Sequence, residues 1–362
     1  MKVDVVIIGA GPAGSSVANS VASKGYKVLV IEKEKTIGCS PCAGYVSNTI
    51  NLDGKLDVRA IQEKINCMRT YFPSGAYHDF PINGFVVDRQ WFDKSLARRA
   101  SANRAKFLVN ASLHSLVYGH KNKGYCGVEF KKNGIKFVEA RVIVGADGVF
   151  SKTAHFLGLK QKDVLIGAQY ELSNLTPIPN TSEIFFDKNY APGGYVWIYP
   201  IGKNGAKIGL GINKSLSAKS AFEYLDQFIE ENPLVVDRLK NASQIAKISG
   251  AIPSGGILDK TCVENVLLVG DAAGMVDPIT GAGISYAILT GEIAGKVISD
   301  ALKKKDLSLL SQYETKWKKL LERTFTRSLK KRKFANTIYT SNEKLEVYLP
   351  RVWVTFKDYF RI

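Results

Sequence analysis

The chain has 362 residues, of which 45% are hydrophobic, and this length predicts two interleaved units rather than one core. Its 50 Lys and Arg against 33 Asp and Glu give a net charge of +17, which favours negatively charged partners unless the lysines serve solubility alone. A run of about 18 apolar residues, a secretory signal and a disulfide framework are all missing, so we expect a cytoplasmic protein without a membrane span.

A strand–turn–helix–strand pattern opens the chain. Residues 4–8 form an apolar run, residues 9–14 a glycine-rich turn, residues 15–25 a predicted helix and residues 27–32 a second apolar strand. Because the G-x-G-x-x-G turn stands between a strand and a helix, the pattern predicts a dinucleotide-binding unit.

Each glycine of this turn has a physical role in that prediction. Gly9 makes the tight turn, Gly11 lets the backbone approach a pyrophosphate, and Gly14, which follows Ala13, lets the helix pack close to the strand. The helix N-terminus attracts the phosphates. Glu32 accepts hydrogen bonds from ribose hydroxyls and would repel a 2′-phosphate, which favours FAD or NAD over NADP.

A cysteine pair follows the second strand, in the sequence Cys39-Ser-Pro-Cys42-Ala43-Gly-Tyr45. A zinc site would need a second pair or suitably spaced histidines, and the other three cysteines are isolated, so we predict no metal. Further along, residues 87–96 contain a D-R-x-x-F-D-x-x-L pattern with Arg89 as its arginine. Arg89 could equally form a surface ion pair at a helix start.

Three aromatic residues alternate in the segment 194–200, which reads GYVWIYP. In a strand, Tyr195, Trp197 and Tyr199 lie on one face of the sheet, and Val196 and Ile198 lie on the other. The aromatic face could line a slot for a long apolar ligand, or it could belong to an ordinary half-buried strand.

Two more apolar strands run into glycine-rich turns, at residues 141–151 (RVIVGADGVFS) and 265–284 (NVLLVGDAAGMVDPITGAGI). Together with the N-terminal signature they resemble the glutathione-reductase-type FAD fold of aromatic hydroxylases, halogenases and geranylgeranyl reductases. The resemblance implies FAD as the cofactor. It implies that Asp271 binds the ribityl and pyrophosphate side, and that Arg89 and the backbone at Leu113 also contact FAD. The loop 278–284, with Gly281, Gly283 and Ile284, would lie along the flavin ring.

The aromatic strand resembles the Y-x-W-x-F-P signature of the geranylgeranyl reductases, with Tyr199 in place of Phe. That family carries Cys-Gly near the flavin, where this chain has Cys42 and Ala43. The resemblance covers residues 3–304 and implies FAD-dependent reduction of geranylgeranyl double bonds, in archaea typically on ether phospholipids. It places Cys42, Ala43 and Tyr45 at the cofactor and Tyr195, Trp197 and Tyr199 at an isoprenoid lipid.

Reduction of an alkene needs a proton donor, and Cys42, Tyr195 or a water could supply it; Cys42 could also be a structural thiol. No second G-x-G-x-x-G follows a strand, so the reductant is expected to be NAD(P)H that binds transiently or an acidic ferredoxin.

The alternative function is a flavin-dependent monooxygenase or halogenase. A halogenase needs a lysine in a tunnel, for which Lys55 and Lys64 are available. Nucleic-acid binding lacks a motif.

The expected architecture is an α/β fold with a Rossmann-like FAD-binding domain, an antiparallel-sheet substrate domain and a C-terminal helical segment. We assign residues 1–72, 85–160 and 258–304 to the FAD-binding domain and residues 73–84 and 161–257 to the substrate domain. Strands are expected at 164–172 and 207–212, and helices at 220–231 and 234–240.

Residues 305–362 are predicted to be helical and basic, and their sequence includes the run Lys-Lys-Arg-Lys at 330–333. Such a helix can lie peripherally on an anionic bilayer, or it can pack its apolar stripe on the protein core. The stripe consists of Tyr313, Trp317, Leu320, Leu321, Phe325 and Leu329.

Overall fold

The computed structural model describes residues 1–47, 57–119 and 124–361. Lys55, one of the two lysines considered for a halogenase tunnel, lies outside these residues. The strands in the described ranges are β1 (Lys2–Ile8), β2 (Val28–Ile31), β3 (Tyr45–Ser47), β4 (Ile61–Tyr71), β5 (Tyr77–Val87), β6 (Lys106–Leu108), β7 (Ser112–Tyr118), β8 (Tyr125–Lys131), β9 (Ile135–Gly145), β10 (Val164–Ser173), β11 (Thr181–Phe185), β12 (Tyr195–Pro200), β13 (Gly205–Ile212), β14 (Ser243–Pro253), β15 (Cys262–Val263) and β16 (Val266–Leu268). The α-helices are α1 (Pro12–Ala22), α2 (Arg89–Ala102), α3 (Lys152–Phe156), α4 (Ala221–Glu231), α5 (Val236–Leu239), α6 (Ile284–Lys304), α7 (Gln312–Ile338) and α8 (Asn342–Val352).

The first sheet has the order β15-β16-β9-β1-β2-β6, and β8 and β7 extend it from β9. Its centre is parallel: β1 pairs with β2 and β9, β9 with β16, and β2 with β6. Val5, Val6 and Ile7 of β1 are fully buried, as expected of a parallel strand with both faces covered. The predicted N-terminal βαβ unit is confirmed, although α1 begins at Pro12, three residues earlier than expected.

Two glycines of α6 allow it to pack directly on α1. A Cβ built at Gly291 would lie 2.6 Å from the carbonyl oxygen of Ala13, and one at Gly295 would collide with the side chain of Ser20. The helix that follows the loop 278–284 is therefore held against the helix that follows the glycine turn. This contact brings the N-termini of both helices to the same region.

The second sheet has the order β14-β10-β13-β12-β11-β4-β5-β3 and is antiparallel except where β11 pairs with β4. The predicted antiparallel sheet is therefore confirmed. The division of the chain given above counts residues 57–72 with the FAD-binding domain, yet β4 lies inside the second sheet. Its pairing with β11 joins Cys67 to Thr181 and Tyr71 to Phe185.

The two faces of the second sheet have different partners. The face with Val196 and Ile198 packs under α4, whose Leu225 and Phe228 are fully buried. The opposite face, with Trp197, packs against the C-terminal segment. The predicted alternation of side chains along β12 is confirmed.

Helix α7 packs its apolar stripe on the protein core. Tyr313, Trp317, Leu321 and Phe325 are buried in the cluster that surrounds the first sheet. Leu320, by contrast, is 60% exposed. For these four side chains the structure shows the second of the two alternatives given above, packing on the protein core.

Candidate functional site

In the glycine turn between β1 and α1, close backbone contacts require glycine at two of the three positions. Gly9 has a φ of +102°, and a Cβ there would collide with the carbonyl oxygen of Ala146. A Cβ at Gly14 would collide with the carbonyl oxygen of Gly9. At Gly11, by contrast, a Cβ would meet nothing within 4 Å, so this part of the turn faces open space.

Glu32 fixes the glycine turn from the end of β2. Its Oε2 accepts a hydrogen bond of 2.8 Å from the backbone N–H of Ala10, and its Oε1 accepts one of 2.9 Å from Glu34 N–H. The carboxylate therefore couples the second strand to the turn. Leu113, the residue predicted at the adenine, is buried with Ile31 in one cluster, so it lies at the same end of the sheet.

Arg89 and Asp271 lie within electrostatic range of each other near the start of α6. Arg89, in the first turn of α2, donates to both carboxylate oxygens of Asp93 at 3.0 and 2.8 Å. The pair is buried, with 11% and 1% of the two side chains exposed, so Arg89 is not in a surface ion pair. Burial works to lower the pKa of Arg89, but Asp93 and Cys42 together raise it above its ordinary value.

Asp271 lies in a short 3₁₀ turn, Gly270–Ala273, directly after β16. Burial raises the pKa of its carboxyl group, and the nearby Arg89 partly opposes that rise. A Cβ at Gly283 would stand 3.3 Å from Asp271 Oδ1, and a Cβ at Gly270 would stand 2.9 Å from the Cβ of Ala13. The glycine turn, Asp271 and the start of α6 at Ile284 therefore lie side by side.

The segment that contains Cys42 joins the two sheets. Cys42 Sγ accepts from Gly44 N–H at 3.3 Å, and the carbonyl oxygen of Gly44 accepts from Val87 N–H at 2.9 Å. Ala43 and Tyr45 pack against the aromatic face of β12, where the Tyr45 and Tyr199 ring centroids are 5.7 Å apart. Burial raises the pKa of Tyr45 to about 12.

Lys207 is a buried cation at this junction that the sequence analysis missed. Its side chain is 6% exposed, and Nζ donates to Gln62 Oε1 at 2.7 Å and to the Val87 carbonyl oxygen at 3.1 Å. Burial lowers the pKa of Lys207, and Cys42 is near enough to oppose that change. A lone lysine within the otherwise apolar strand β13 was the available signal.

The aromatic face of β12 is linked to the loop 278–284. Tyr195 donates its hydroxyl proton to the carbonyl oxygen of Thr280 at 2.5 Å, and burial raises its pKa above the ordinary tyrosine value. Trp197 Nε1 donates to Gln169 Oε1 at 3.0 Å. Trp197 and Tyr199 are buried with residues of α7 and α8, so in this structure the C-terminal segment covers the face.

Asp277, a second residue that the sequence analysis missed, shapes the same loop. Its Oδ1 accepts from the backbone N–H groups of Ile279 and Thr280 at 2.9 and 3.0 Å. Its Oδ2 accepts from Ser328 Oγ of α7 at 2.6 Å. An aspartate before proline in a glycine-rich loop was the signal, because such a side chain often bonds the following backbone.

All five cysteines are free thiols, with Cys39 exposed and Cys42 half-buried. Across residues 1–47, 57–119 and 124–361, no three His, Cys, Asp or Glu side chains are grouped so that they could hold a metal ion. No helix in the same ranges is long and apolar enough to span a membrane. Lys64 is exposed on β4, so it does not project into an enclosed tunnel.

Two family models match this chain, one in its N-terminal part and one in its middle part. Residues 4–153 match the family model of FAD dependent oxidoreductases, and residues 163–252 match the geranylgeranyl reductase catalytic domain. A digeranylgeranylglycerophospholipid reductase of Methanocaldococcus jannaschii is 38% identical over 87% of this chain and 82% of its own length. Digeranylgeranylglycerophospholipid reductase 2 of Methanothermobacter thermautotrophicus is 34% identical over 96% of this chain and 91% of its own length. The chain belongs to this reductase family.

Solved structures agree with that assignment. A geranylgeranyl bacteriochlorophyll reductase-like protein from Thermoplasma acidophilum superposes with a TM-score of 0.90 at 28% identity, over 100% of this chain and 94% of the other. A flavin-dependent brominase superposes with a TM-score of 0.74 at 20% identity, over 96% and 94%, which shows a shared fold only. This reductase-family chain is an FAD-dependent oxidoreductase.

The residues described above fit FAD. Gly11 leaves open space beside the N-terminus of α1, and among the described residues no side chain caps either α1 or α6. Uncapped N–H groups at a helix start are ready donors for phosphate and other anionic acceptors. Glu32 stands at the glycine turn, and Asp271 lies near the start of α6 with Arg89 in electrostatic range, so acceptors for hydroxyl groups and helix N–H donors for phosphates occur together.

Proposed function

We propose that this family member reduces the geranylgeranyl double bonds of an archaeal-type ether phospholipid, the compound after which its relatives are named. The observation that carries the proposal is the hydrogen bond between Tyr195 and Thr280. It attaches the aromatic face of β12 to the loop 278–284, so an apolar chain that displaces the C-terminal segment from that face would lie next to the flavin.

The roles of individual residues are part of this proposal. Glu32 and the backbone at Leu113 serve the adenosine end of FAD, whereas Arg89 and Asp271 serve its ribityl and pyrophosphate part. Tyr195, Trp197 and Tyr199 contact the isoprenoid chain. The remaining cofactor contacts come from the glycine turn (Gly9, Gly11, Ala13, Gly14), from the segment after β2 (Cys42, Ala43, Tyr45) and from the loop before α6 (Gly281, Gly283, Ile284).

Reduced FAD, when bound, supplies the hydride for such a reduction. The protein must then hold the alkene, exclude water and deliver a proton to the second carbon. We assign the proton to Cys42, because the hydroxyl proton of Tyr195 is already donated to Thr280. Arg89 and Lys207, both near Cys42, would stabilise the thiolate after proton transfer.

The experiment is a single-turnover reaction of the chemically reduced holoenzyme with digeranylgeranylglyceryl phosphate. Mass spectrometry should detect the gain of one dihydrogen for each double bond reduced. The variant Cys42→Ala should lose most of this activity and keep FAD, whereas Cys39→Ala, which changes an exposed cysteine, serves as the control. An unchanged lipid mass with the wild-type enzyme would refute the proposed function.

The proposal extends to a membrane surface. Leu320 is exposed beside a shallow groove of about 300 Å³ that it forms with Ile293, Lys296, Lys316 and Lys319. We name these five residues the Leu320 patch. Three cations around one apolar side chain suit the headgroups of an anionic leaflet, where each basic residue contributes about 1 kcal/mol.

The reductant would be NAD(P)H or an acidic ferredoxin, consistent with the net charge of +17.

A further inference from the structure

Arg332 of α7 is buried without a partner. Its side chain is 3% exposed, and its Nε and Nη2 atoms have no hydrogen-bond partner within the described part of the chain. Burying a guanidinium costs several kcal/mol unless an anion or acceptor compensates it. The sequence analysis included this arginine in the basic run 330–333 that could lie on an anionic bilayer, and its burial shows that its side chain does not face solvent.

Arg332 lies on the part of α7 that packs near the end of β14 and the start of β12. Tyr195, Tyr339 and Asp163 are its neighbours within electrostatic range. Leu329, one turn earlier, packs on Gly256, where an added Cβ would lie 3.0 Å from Leu329 Cδ2. The backbone oxygen of Asp163 accepts from Ser254 N–H at 3.0 Å, and Ser254 Oγ is also buried without a partner.

Ser254 and Arg332 both lie near Asp163: Ser254 donates its backbone N–H to the Asp163 carbonyl oxygen, and Arg332 is within electrostatic range of the Asp163 carboxylate and of Tyr195. Neither Nε and Nη2 of Arg332 nor the Ser254 hydroxyl has a hydrogen-bond partner among the described residues. A guanidinium presents parallel N–H donors that match two oxygens of a phosphate, and a hydroxyl adds a third donor. We propose that Arg332, with Ser254, binds the phosphate of the lipid substrate. This inference rests on the proposed function.

Phosphate binding at Arg332 has a consequence for the position of the lipid. Tyr195 is next to Arg332 and begins the aromatic strand, and Tyr199 ends it beside the Cys42 segment. A phosphate held at Arg332 would start the two isoprenoid chains at the Tyr195 end. Arg332 is accordingly a positioning residue, which decides how far along its chain each double bond stands from the flavin.

The test compares two lipids that differ only in the phosphate: digeranylgeranylglyceryl phosphate and digeranylgeranylglycerol. The holoenzyme is reduced with dithionite, so no nicotinamide phosphate takes part. For the phosphorylated lipid, Arg332→Gln should raise KM by about tenfold to a hundredfold, as expected for the loss of hydrogen bonds to a charged group. For the uncharged lipid, KM should change by less than about twofold. Arg323→Gln, which changes an exposed arginine of the same helix, should leave both values unchanged.

Further measurements separate this role from a structural one. Arg332→Lys should restore part of the affinity, because it keeps the charge and loses the planar fork. FAD content and the unfolding midpoint of lipid-free Arg332→Gln should match or exceed those of the wild type, since a buried unpaired charge has been removed. Equal KM changes for both lipids, an unchanged KM for the phosphorylated lipid or loss of FAD would overturn the inference.

A binding measurement distinguishes a lipid phosphate from a free phosphate ion at this site. Protection of the wild type against thermal unfolding is measured with the phosphorylated lipid and with inorganic phosphate at equal concentration. Stronger protection by the lipid, lost in Arg332→Gln, supports the headgroup site, whereas protection by inorganic phosphate alone would assign a free anion and overturn it. If the wild type reduces neither lipid, the proposed function fails; if it reduces both and Arg332→Gln behaves identically, only this inference fails.

Discussion

At the residue scale, Glu32 connects the two strands of the dinucleotide unit through its bond to Ala10 N–H. Glu32→Ala removes that bond and the acceptor predicted for the ribose. We expect FAD affinity to fall by about tenfold to a hundredfold, the effect of losing charged hydrogen bonds. Fluorescence titration of the apoprotein with FAD measures the change. Glu34→Ala removes an exposed carboxylate two residues away and should retain wild-type affinity; equal losses in both variants would point to net charge instead.

Lys207 gives the protein a pH-dependent contribution to stability. Burial lowers its pKa below the ordinary value of 10.5, so between the two pKa values the unfolded chain binds more protons than the folded one. Stability therefore rises with pH in that window, by up to about 1.4 kcal/mol per pH unit, and below the window Lys207 adds no pH dependence.

The variant Lys207→Met should lose this slope. Urea unfolding midpoints at several pH values up to 10.5 measure it. Lys203→Met, which changes an exposed lysine at the turn before β13, should keep the wild-type slope. A slope that survives in Lys207→Met would show that another group titrates.

Single residues differed in how well the sequence predicted them. The glycine turn and Glu32 were predictable, because local backbone geometry and spacing fix their roles. Lys207 and Arg332 were not, because each is buried by elements distant in sequence. Their charges resembled surface charges until the packing of β13 and α7 was known.

At the scale of elements, the contact between β12 and the loop 278–284 depends on one hydroxyl group. Tyr195→Phe keeps the ring and removes the donor to Thr280, so we expect FAD to remain bound and turnover to fall about tenfold, in line with one lost hydrogen bond. Stopped-flow oxidation of the reduced flavin by lipid measures the rate. Tyr199→Phe is the matched comparison, because it removes a hydroxyl from the same strand and leaves the bond from Tyr195 to Thr280 in place. Equal rates in wild type and Tyr195→Phe would contradict a positioning role for this bond.

Element order and type followed the sequence closely in both sheets. The strands predicted at residues 164–172 and 207–212 occur as β10 and β13, and the helix predicted at 220–231 is α4, capped by Ser220. Strand β4 was assigned to the other domain, because its pairing with β11 bridges more than a hundred residues. Periodicity within a segment carries no information about such a partner.

At the scale of the whole molecule, the Leu320 patch predicts salt-sensitive binding to anionic vesicles. The triple variant Lys296→Gln, Lys316→Gln, Lys319→Gln should weaken sedimentation with anionic vesicles by about a hundredfold, at about 1 kcal/mol for each cation. Three exposed lysines elsewhere, Lys203, Lys240 and Lys260, changed to Gln provide a charge-matched control. The same loss in both triple variants, or equal binding to neutral vesicles, would refute the patch.

The C-terminal segment closes the aromatic face last in the order of synthesis. Trp353 donates to Thr70 Oγ1 of β4, and the Tyr359 hydroxyl is bonded to Ser328, which also bonds Asp277 directly before the loop 278–284. Ribosomes make the chain from its N-terminus, so both sheets can form while Trp197 and Tyr199 still face water. A nascent chain released before Trp353 would expose an aromatic sheet surface that favours aggregation. Synthesis of the chain as far as Trp353 is thus also the step that allows this aromatic face to be covered.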